Sequence, residues 1–255
     1  MKELIYGRNA VYETLRANRR QAFRLEVAEG AQEKGRLKEI IDLAARRKLP
    51  IERVPRARLE KLKANHQGLA LEVSGYPYAD LTDIFELAEK RKEPLFVLLL
   101  DTLNDPQNFG TLLRTAEAVG VQGVVIPLAR TVEMTPAVVN ASSGASEHLL
   151  VAQDNLHQAI EELKKAGAWI VGLEGGDKAT GAERVRLDGA LGLVVGSEGE
   201  GMRPLVAKSC DILMKLPMRG EIESLNAAVA GSVALYLAYM ARRGRSASRS
   251  APTTS

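Results

Sequence analysis

Three segments hold residues whose types and spacing could do chemistry. The first is Asp101-Thr102-Leu103-Asn104-Asp105-Pro106-Gln107-Asn108-Phe109-Gly110, running into Leu112-Leu113-Arg114-Thr115-Ala116-Glu117. It follows an apolar run and holds an Asp-Pro turn, so a helix is expected to begin near Asn108. Asn108 reads either as that helix's cap or as an amide that orients a ligand. Arg114 reads either as a surface ion-pair partner or as a cation for an anionic substrate. The second segment is Leu193-Val194-Val195-Gly196-Ser197-Glu198-Gly199-Glu200-Gly201-Met202-Arg203. Its glycines permit close backbone approach, but the order is not G-x-G-x-x-G and no Walker lysine follows. Glu198 and Glu200 would repel phosphate, so the loop suits a cationic or neutral ligand. A bare strand-to-helix turn stays equally open. The third is Ile212-Leu213-Met214-Lys215-Leu216-Pro217-Met218, then Ser224-Leu225-Asn226-Ala227-Ala228. Ser224 is a natural N-cap for the helix that follows, with Asn226 in its first turn, where backbone N–H groups are free. Ala227, Ala228, Ala230, Gly231 and Ala234 would let another backbone approach that helix closely, or simply make it an ordinary buried one.

The elements that must position these segments follow from hydrophobic period. Leu95 to Leu100, Gly123 to Ile126, Trp169 to Leu173 and Leu191 to Val195 are short continuous apolar runs, the pattern of strands buried on both faces. Helical segments lie between them, and alternating β and α predicts a parallel sheet covered on both sides. Ligands of such sheets bind beyond the carboxyl ends of the strands, where the first two segments begin. Upstream, an amphipathic helix around Val11 and Leu15, an alternating strand at Phe23 to Val27, helical spacing through Leu37, Ile40, Ile41 and Ala44, and alternation from Gly68 to Val73 predict a separate small α/β unit. The division read from the chain is 1–75, a linker and first helix over 76–92, a second domain over 93–243, and a disordered tail over 244–255.

Composition narrows the classes. Hydrophobic residues are 45% and charged residues 26%, the balance of a globular protein. The single cysteine, Cys210, allows no internal disulfide and no thiolate cluster, and three scattered histidines argue against a metal site. The longest apolar run, 227–241, is shorter than the ~20 residues of a membrane span. With no signal peptide visible, the expected compartment is the cytoplasm. Residues 1–75 carry 17 Lys+Arg against 10 Asp+Glu, while residues 76–241 carry 14 against 22. A basic module joined to an acidic one fits a polyanion held by the first, or solvated helix faces with no such partner. His66, in Asn65-His66-Gln67-Gly68, reads as a base-contacting ring or as a turn stabiliser.

Taken together and in order, N-x-G-x-x-x-R-T-A-E, G-S-E-G-E-G, and L-P-M followed by S-L-N resemble the three motifs of the SpoU branch of the SPOUT RNA methyltransferases, over residues 93–242. Tyr6-Gly7 and Asn65-His66-Gln67-Gly68 resemble the substrate-binding domain, similar to ribosomal protein L30e, of the 23S rRNA guanosine-2′-O-methyltransferase subgroup. Glu-Ile-Glu before Ser224-Leu225-Asn226 departs from the small or polar residues common there.

The resemblance implies an α/β SPOUT domain with a parallel sheet and trefoil knot, a small L30e-like domain before it, and a homodimer with sites near the interface. It implies S-adenosyl-L-methionine as cofactor, RNA as partner, and neither metal nor membrane. Carried over, Arg114 faces the RNA and the attacking hydroxyl, and Asn108, Glu198, Ser224 and Asn226 organise catalysis. Gly196, Glu198, Gly201, Leu216, Met218 and Leu225 hold the cofactor, and Arg8, His66 and Arg114 contact RNA. A guanidinium keeps its proton in nearly any site, so Arg114 fits a clamp better than a base; Glu198 is the better proton acceptor. The alternatives are a tRNA ribose methyltransferase, an antibiotic-resistance rRNA methyltransferase, and a non-enzymatic RNA-binding SPOUT protein.

Overall fold

The computed structural model describes residues 2–62, 64–129, 131–176, 178–197, 199, 201–222 and 224–249. The chain forms two compact units, Met1–Pro77 with Glu133–His148, and Tyr78–Val132 with Leu149–Ser255.

In the first unit, β1 (Lys2–Tyr6), β2 (Ala22–Ala28), β3 (Ile51–Val54) and β4 (Leu69–Ser74) form a mixed sheet in the order β1-β4-β2-β3. β4 runs antiparallel to both β1 and β2, and β2 and β3 are parallel. Helices α1 (Arg8–Ala17), α2 (Arg36–Arg46) and α3 (Arg56–Glu60) complete it. α1 buries Ala10, Val11, Thr14 and Leu15, and α2 buries Leu37, Ile40 and Ala44. Those spacings put each set on one helical face, against Ile5, Leu25, Val27, Leu69, Leu71 and Val73 of the strands. Each Val, Leu or Ile among them contributes about 1.5–3 kcal/mol when fully buried.

The same unit takes in Glu133–His148, a piece from later in the chain, which holds α6 (Pro136–Ala141) and a 3-10 turn, Ala145–His148. Val139 enters the core. Asn140 Nδ2 donates to Tyr6 O at 3.0 Å and lies where a Cβ on Gly7 would fall, so Gly7, at φ +84, leaves room for it. Arg20 donates twice to Glu147, at 2.8 and 3.0 Å, and once to Glu3 at 2.6 Å. Its guanidinium lies 4.9 Å from the Tyr76 ring centre, and Tyr76 Oη donates to Ser146 O at 2.9 Å. Burial pushes the Tyr76 phenol up to about 12 and raises the Glu147 carboxyl above its ordinary range, against the pull of Arg20. Tyr76, expected in a linker, is therefore anchored by its ring and its hydroxyl.

The second unit holds α4 (Leu81–Arg91), β5 (Phe96–Leu100), α5 (Pro106–Ala118), β6 (Gly123–Pro127), β7 (Leu150–Asp154), α7 (Leu156–Lys165), β8 (Trp169–Leu173), β9 (Thr180–Gly181), β10 (Leu191–Val195), α8 (Pro204–Ser209), β11 (Ile212–Lys215) and α9 (Ala227–Arg249). Its strands form one sheet in the order β7-β6-β5-β10-β8-β11-β9, parallel at every pairing. β5, β6 and β10 are buried along their whole length, as their continuous apolar runs predict. β10 fills the place between β5 and β8, in the middle of the sheet, and β11 follows between β8 and β9.

α9 packs on α5 through its small residues. A Cβ on Gly231 would crowd Leu112, and Thr115 and Ser232 share a hydroxyl hydrogen bond of 2.9 Å. α9 is not buried all round: Val229, Val233, Tyr236, Leu237 and Met240 are exposed. It also runs through Arg249, where a disordered tail was expected from Gly244. Extending a helix that already exists costs far less than starting one, so a glycine and a polar run do not stop it. Residues 250–255 of that expected tail lie outside the described residues. No described helix is long and apolar enough to cross a membrane.

Candidate active site

At the carboxyl ends of β8, β10 and β11 the second unit has a cavity of about 640 Å³. One wall is the run-out of β8, Leu173-Glu174-Gly175. Another is the glycine loop after β10, including Gly196, Ser197, Gly199 and Gly201. The third is Lys215, Leu216 and Met218 after β11, with Ser224, Leu225, Asn226, Ala227 and Ala230 at the start of α9. Of the residues expected to hold a cofactor, Gly196, Gly201, Leu216, Met218 and Leu225 line this cavity. Glu198 lies outside the described residues.

The glycine loop folds back on itself. Ser197 and Gly201 exchange backbone hydrogen bonds of 3.0 and 3.1 Å, and Gly199 and Gly201 take φ of +87 and +69. Gly196 presses so closely on the Gly201–Met202 backbone that no Cβ would fit. The loop's far leg is then fixed to the end of β5. The fully buried Asp101 carboxylate accepts from Arg203 N at 2.8 Å and from Arg203 Nε at 2.7 Å. Sequence reasoning took neither residue as functional, although they open the first segment and close the second.

Two expected catalytic residues meet. Asn226 Nδ2 donates to Asn108 Oδ1 at 3.1 Å, and Asn226 Oδ1 accepts from Ala228 N and Val229 N at 2.9 and 3.1 Å. Asn226, not Ser224, is therefore the N-cap of α9, because its side chain accepts from the amides two and three residues on, the N-cap pattern. α5 is likewise capped by Asp105, which accepts from Gln107 N and Asn108 N with Pro106 at the first helical position, and not by Asn108. Both corrections leave the Asn108 amide facing Asn226. Arg114 is exposed on α5, six residues or about 9 Å along the axis from Asn108, and is not among the cavity's lining residues.

In the first unit, Arg8 and Gln67 are tied together by Arg8 N to Gln67 Oε1, at 2.8 Å. His66 is 6% exposed and its Nδ1 accepts from Gly68 N at 3.1 Å. The ring thus supports the turn and does not offer a face for a base to stack on.

The chemistry this cavity can do is limited by what lines it. Cys210 is not among its lining residues, and burial pushes that thiol up to about 12. Lys215, the one lysine or arginine along the described wall, donates to Gly176 O at 3.2 Å. Glu174 Oε2 is buried with no hydrogen-bond partner among the described residues. Missing from the sequence reading, Glu174 had a usable signal: it follows a buried strand and precedes Gly175-Gly176. A wall of backbone edges, aliphatic side chains and an acceptor in need of a donor suits a neutral or cationic nucleoside better than a polyphosphate.

Comparison with known proteins agrees with this geometry. Residues 95–236 match the SpoU rRNA methylase family, and residues 4–79 match the RNA 2′-O ribose methyltransferase substrate-binding family. The chain is 43% identical over 245 residues to YacO of Bacillus subtilis, which is assigned to the TrmH family of tRNA/rRNA methyltransferases, with 94% of this chain and 96% of that one covered. A protein of Staphylococcus haemolyticus with the same family assignment is 42% identical over 242 residues, at the same coverage. The fold is that of the SpoU methyltransferase AviRb from Streptomyces viridochromogenes, solved with AdoMet, at a TM-score of 0.77 and 20% identity over 95% of this chain and 91% of that one. With its three motif segments gathered at one end of a parallel sheet, and with these matches across nearly its whole length, the chain belongs to the SpoU family of RNA methylases.

Proposed function

We propose that this protein methylates a ribose 2′-hydroxyl of RNA with S-adenosyl-L-methionine as donor, and that the target is a guanosine of 23S rRNA. The observation that carries the reading is the cavity at the ends of β8, β10 and β11, which adjoins the Asn108–Asn226 pair. Its residues fit the cofactor, since the described wall is largely backbone edges and aliphatic side chains, Lys215 on it donates to Gly176 O, and Glu174 Oε2 accepts from no described residue. When bound, the cofactor supplies an electrophilic methyl group on a sulfonium.

The chain's own residues then have the following tasks. Gly196, Gly201, Leu216, Met218 and Leu225 shape the walls that hold the cofactor and keep water from its methyl group. Asn108, Asn226 and Ser224 orient the hydroxyl, and positioning of this kind supplies a large part of the barrier reduction. Arg114 grips an RNA phosphate and stabilises negative charge as the hydroxyl loses its proton. Glu198 takes that proton. Arg8 and the basic first unit hold the RNA. A trefoil knot is supported by the strand order, in which the chain after β10 returns between strands already laid down.

A homodimer formed through α9 belongs to the same reading. Val229, Val233, Tyr236, Leu237 and Met240 are exposed, and their spacing puts them along one face of α9. Sedimentation should give a dimer, and Tyr236→Glu should give a monomer. A ribosomal target places the protein in the cytoplasm. A tRNA target is the second reading, because the relatives' names cover both RNAs. The test is methyl transfer from labelled S-adenosylmethionine to 23S rRNA and to bulk tRNA, followed by mapping of the modified ribose. Label on tRNA alone would move the target there. Label on neither RNA, by protein that binds S-adenosylhomocysteine, would leave an RNA-binding role without catalysis.

A further inference from the structure

Glu174 stands where β8 ends and forms part of the cavity wall. Its backbone is fixed by Glu174 N donating to Met214 O at 3.0 Å. Its Oε2 is removed from solvent and accepts no hydrogen bond from any described residue. Buried acceptors in native proteins are nearly always paired, and a carboxylate oxygen left unpaired in a wall is costly. Lys215, the nearest candidate cation along that wall, donates instead to the Gly176 carbonyl. A ligand in the cavity that Glu174 lines could supply a donor that no described residue gives.

We propose that Glu174 receives the 2′,3′-diol of the cofactor's adenosyl ribose, an assignment that rests on the cofactor reading above. β10 lies between β8 and β5. Strands are spaced about 4.8 Å apart, so Glu174 sits roughly 10 Å across the sheet from the end of β5 that leads to Asn108. The transferable methyl belongs beside Asn108 and Asn226, which leaves Glu174 for a group other than the sulfonium. Two adjacent hydroxyls can donate in parallel to the two oxygens of one carboxylate. They also bring no charge that must be stripped of water. An acidic side chain beyond a parallel strand plays this part toward ribose in dinucleotide-binding sheets.

Calorimetry on the full-length protein tests it with three probes: S-adenosylhomocysteine, 5′-methylthioadenosine, which keeps the diol but lacks the amino acid, and 2′,3′-dideoxy-5′-methylthioadenosine. Glu174→Ala should weaken the first two by the same factor, on the order of tenfold or more, and leave the dideoxy probe unchanged. Glu174→Gln, which keeps one acceptor, should lose less. The wild-type protein should itself bind the dideoxy probe more weakly than its parent, a comparison that needs no variant to fold. A loss confined to S-adenosylhomocysteine would overturn the diol in favour of the methionyl ammonium. Unchanged binding of all probes by Glu174→Ala would overturn any role for Glu174 while leaving the cofactor reading intact. A wild-type protein that binds none of the three would overturn both.

Discussion

Glu147 is fully buried and Glu174 has one carboxylate oxygen removed from solvent, in different units of the same chain, and they are in opposite states. Glu147 has its charge answered twice by Arg20, whose side chain is as fully buried as its own, inside a cluster that also holds Tyr76 and Glu3. Glu174 has an oxygen answered by nothing among the described residues, and it faces a cavity. A buried charge persists only with a partner. Where the partner is in the protein, the group serves structure; where it is missing, the group is set for a ligand. Asp101 falls between the two, fully buried but paired with an Arg203 whose side chain is 44% exposed, and it holds one wall of the cavity in place.

The sharpest way to break this contrast is Arg20→Met. It leaves Glu147 buried without its partner, and removing one member of such a pair costs about 3–5 kcal/mol. The double variant Arg20→Met with Glu147→Gln should recover much of that loss, because the uncompensated charge is gone. Denaturant titration measures both. By contrast, Glu174→Ala should hardly lower stability, since no described residue bonds its Oε2. Equal destabilisation by the two single variants would erase the distinction between them.

The Tyr76 phenol probes the same cluster through pH. Its pKa is about 12 in the fold against 10.0 as the ordinary value. A raised pKa means that the neutral form is favoured by folding, so this stability is complete below pH 10 and is lost as pH rises toward 12. At about 1.4 kcal/mol per unit, the loss approaches 3 kcal/mol. Tyr76→Phe removes the titration along with the bond to Ser146, so its stability should fall less steeply over that interval. Parallel alkaline unfolding curves would show that the phenol is not held neutral.

How much of this was legible beforehand depends on the range of the interaction. β5, β6 and β10 were readable because a strand buried on both faces needs a continuous apolar run, whereas β8, expected to be buried likewise, leaves Trp169 exposed at its start. The parallel sheet followed from their alternation with helices. The three motif segments pointed to the cavity because each begins or ends at a strand's carboxyl end. Glu133–His148 was not assigned to the first unit, because nothing periodic in that stretch announces that Asn140 fits under Gly7 or that Glu147 meets Arg20. Glu174 was missed for a related reason: an unpaired oxygen is a property of its surroundings, not of its residue type. The caps were misplaced by a few residues, since Ser224 and Asn226, or Asp105 and Asn108, offer similar oxygens, and only the backbone path chooses between them.

Asp101 and Arg203 sharpen the intermediate case. Arg203→Ala keeps the backbone donor to Asp101 and removes the Nε bond. Because the arginine is partly exposed, the stability lost should be modest, about 1 kcal/mol. If the pair holds the glycine loop, S-adenosylhomocysteine affinity should fall while RNA affinity is kept, with partial rescue by Arg203→Lys. Calorimetry and filter binding separate the two. A stability loss with unchanged cofactor affinity would make the pair an ordinary structural contact.

At Asn226 two tasks can be pulled apart. Its Oδ1 caps α9 and its Nδ2 holds Asn108. Asn226→Ala loses both and should cost about 1 kcal/mol as a lost cap. Asn226→Asp keeps an oxygen for the α9 amides and adds favourable charge at a helix N-terminus, so stability should return. It has no N–H to give Asn108, however, and places a carboxylate beside that amide's oxygen. If the Asn108–Asn226 bond orients the reacting hydroxyl, single-turnover methylation by Asn226→Asp should stay low, about 100-fold below wild type, despite a restored melting temperature. Turnover that recovers together with stability would reduce Asn226 to a helix cap and remove it from the proposed catalytic set.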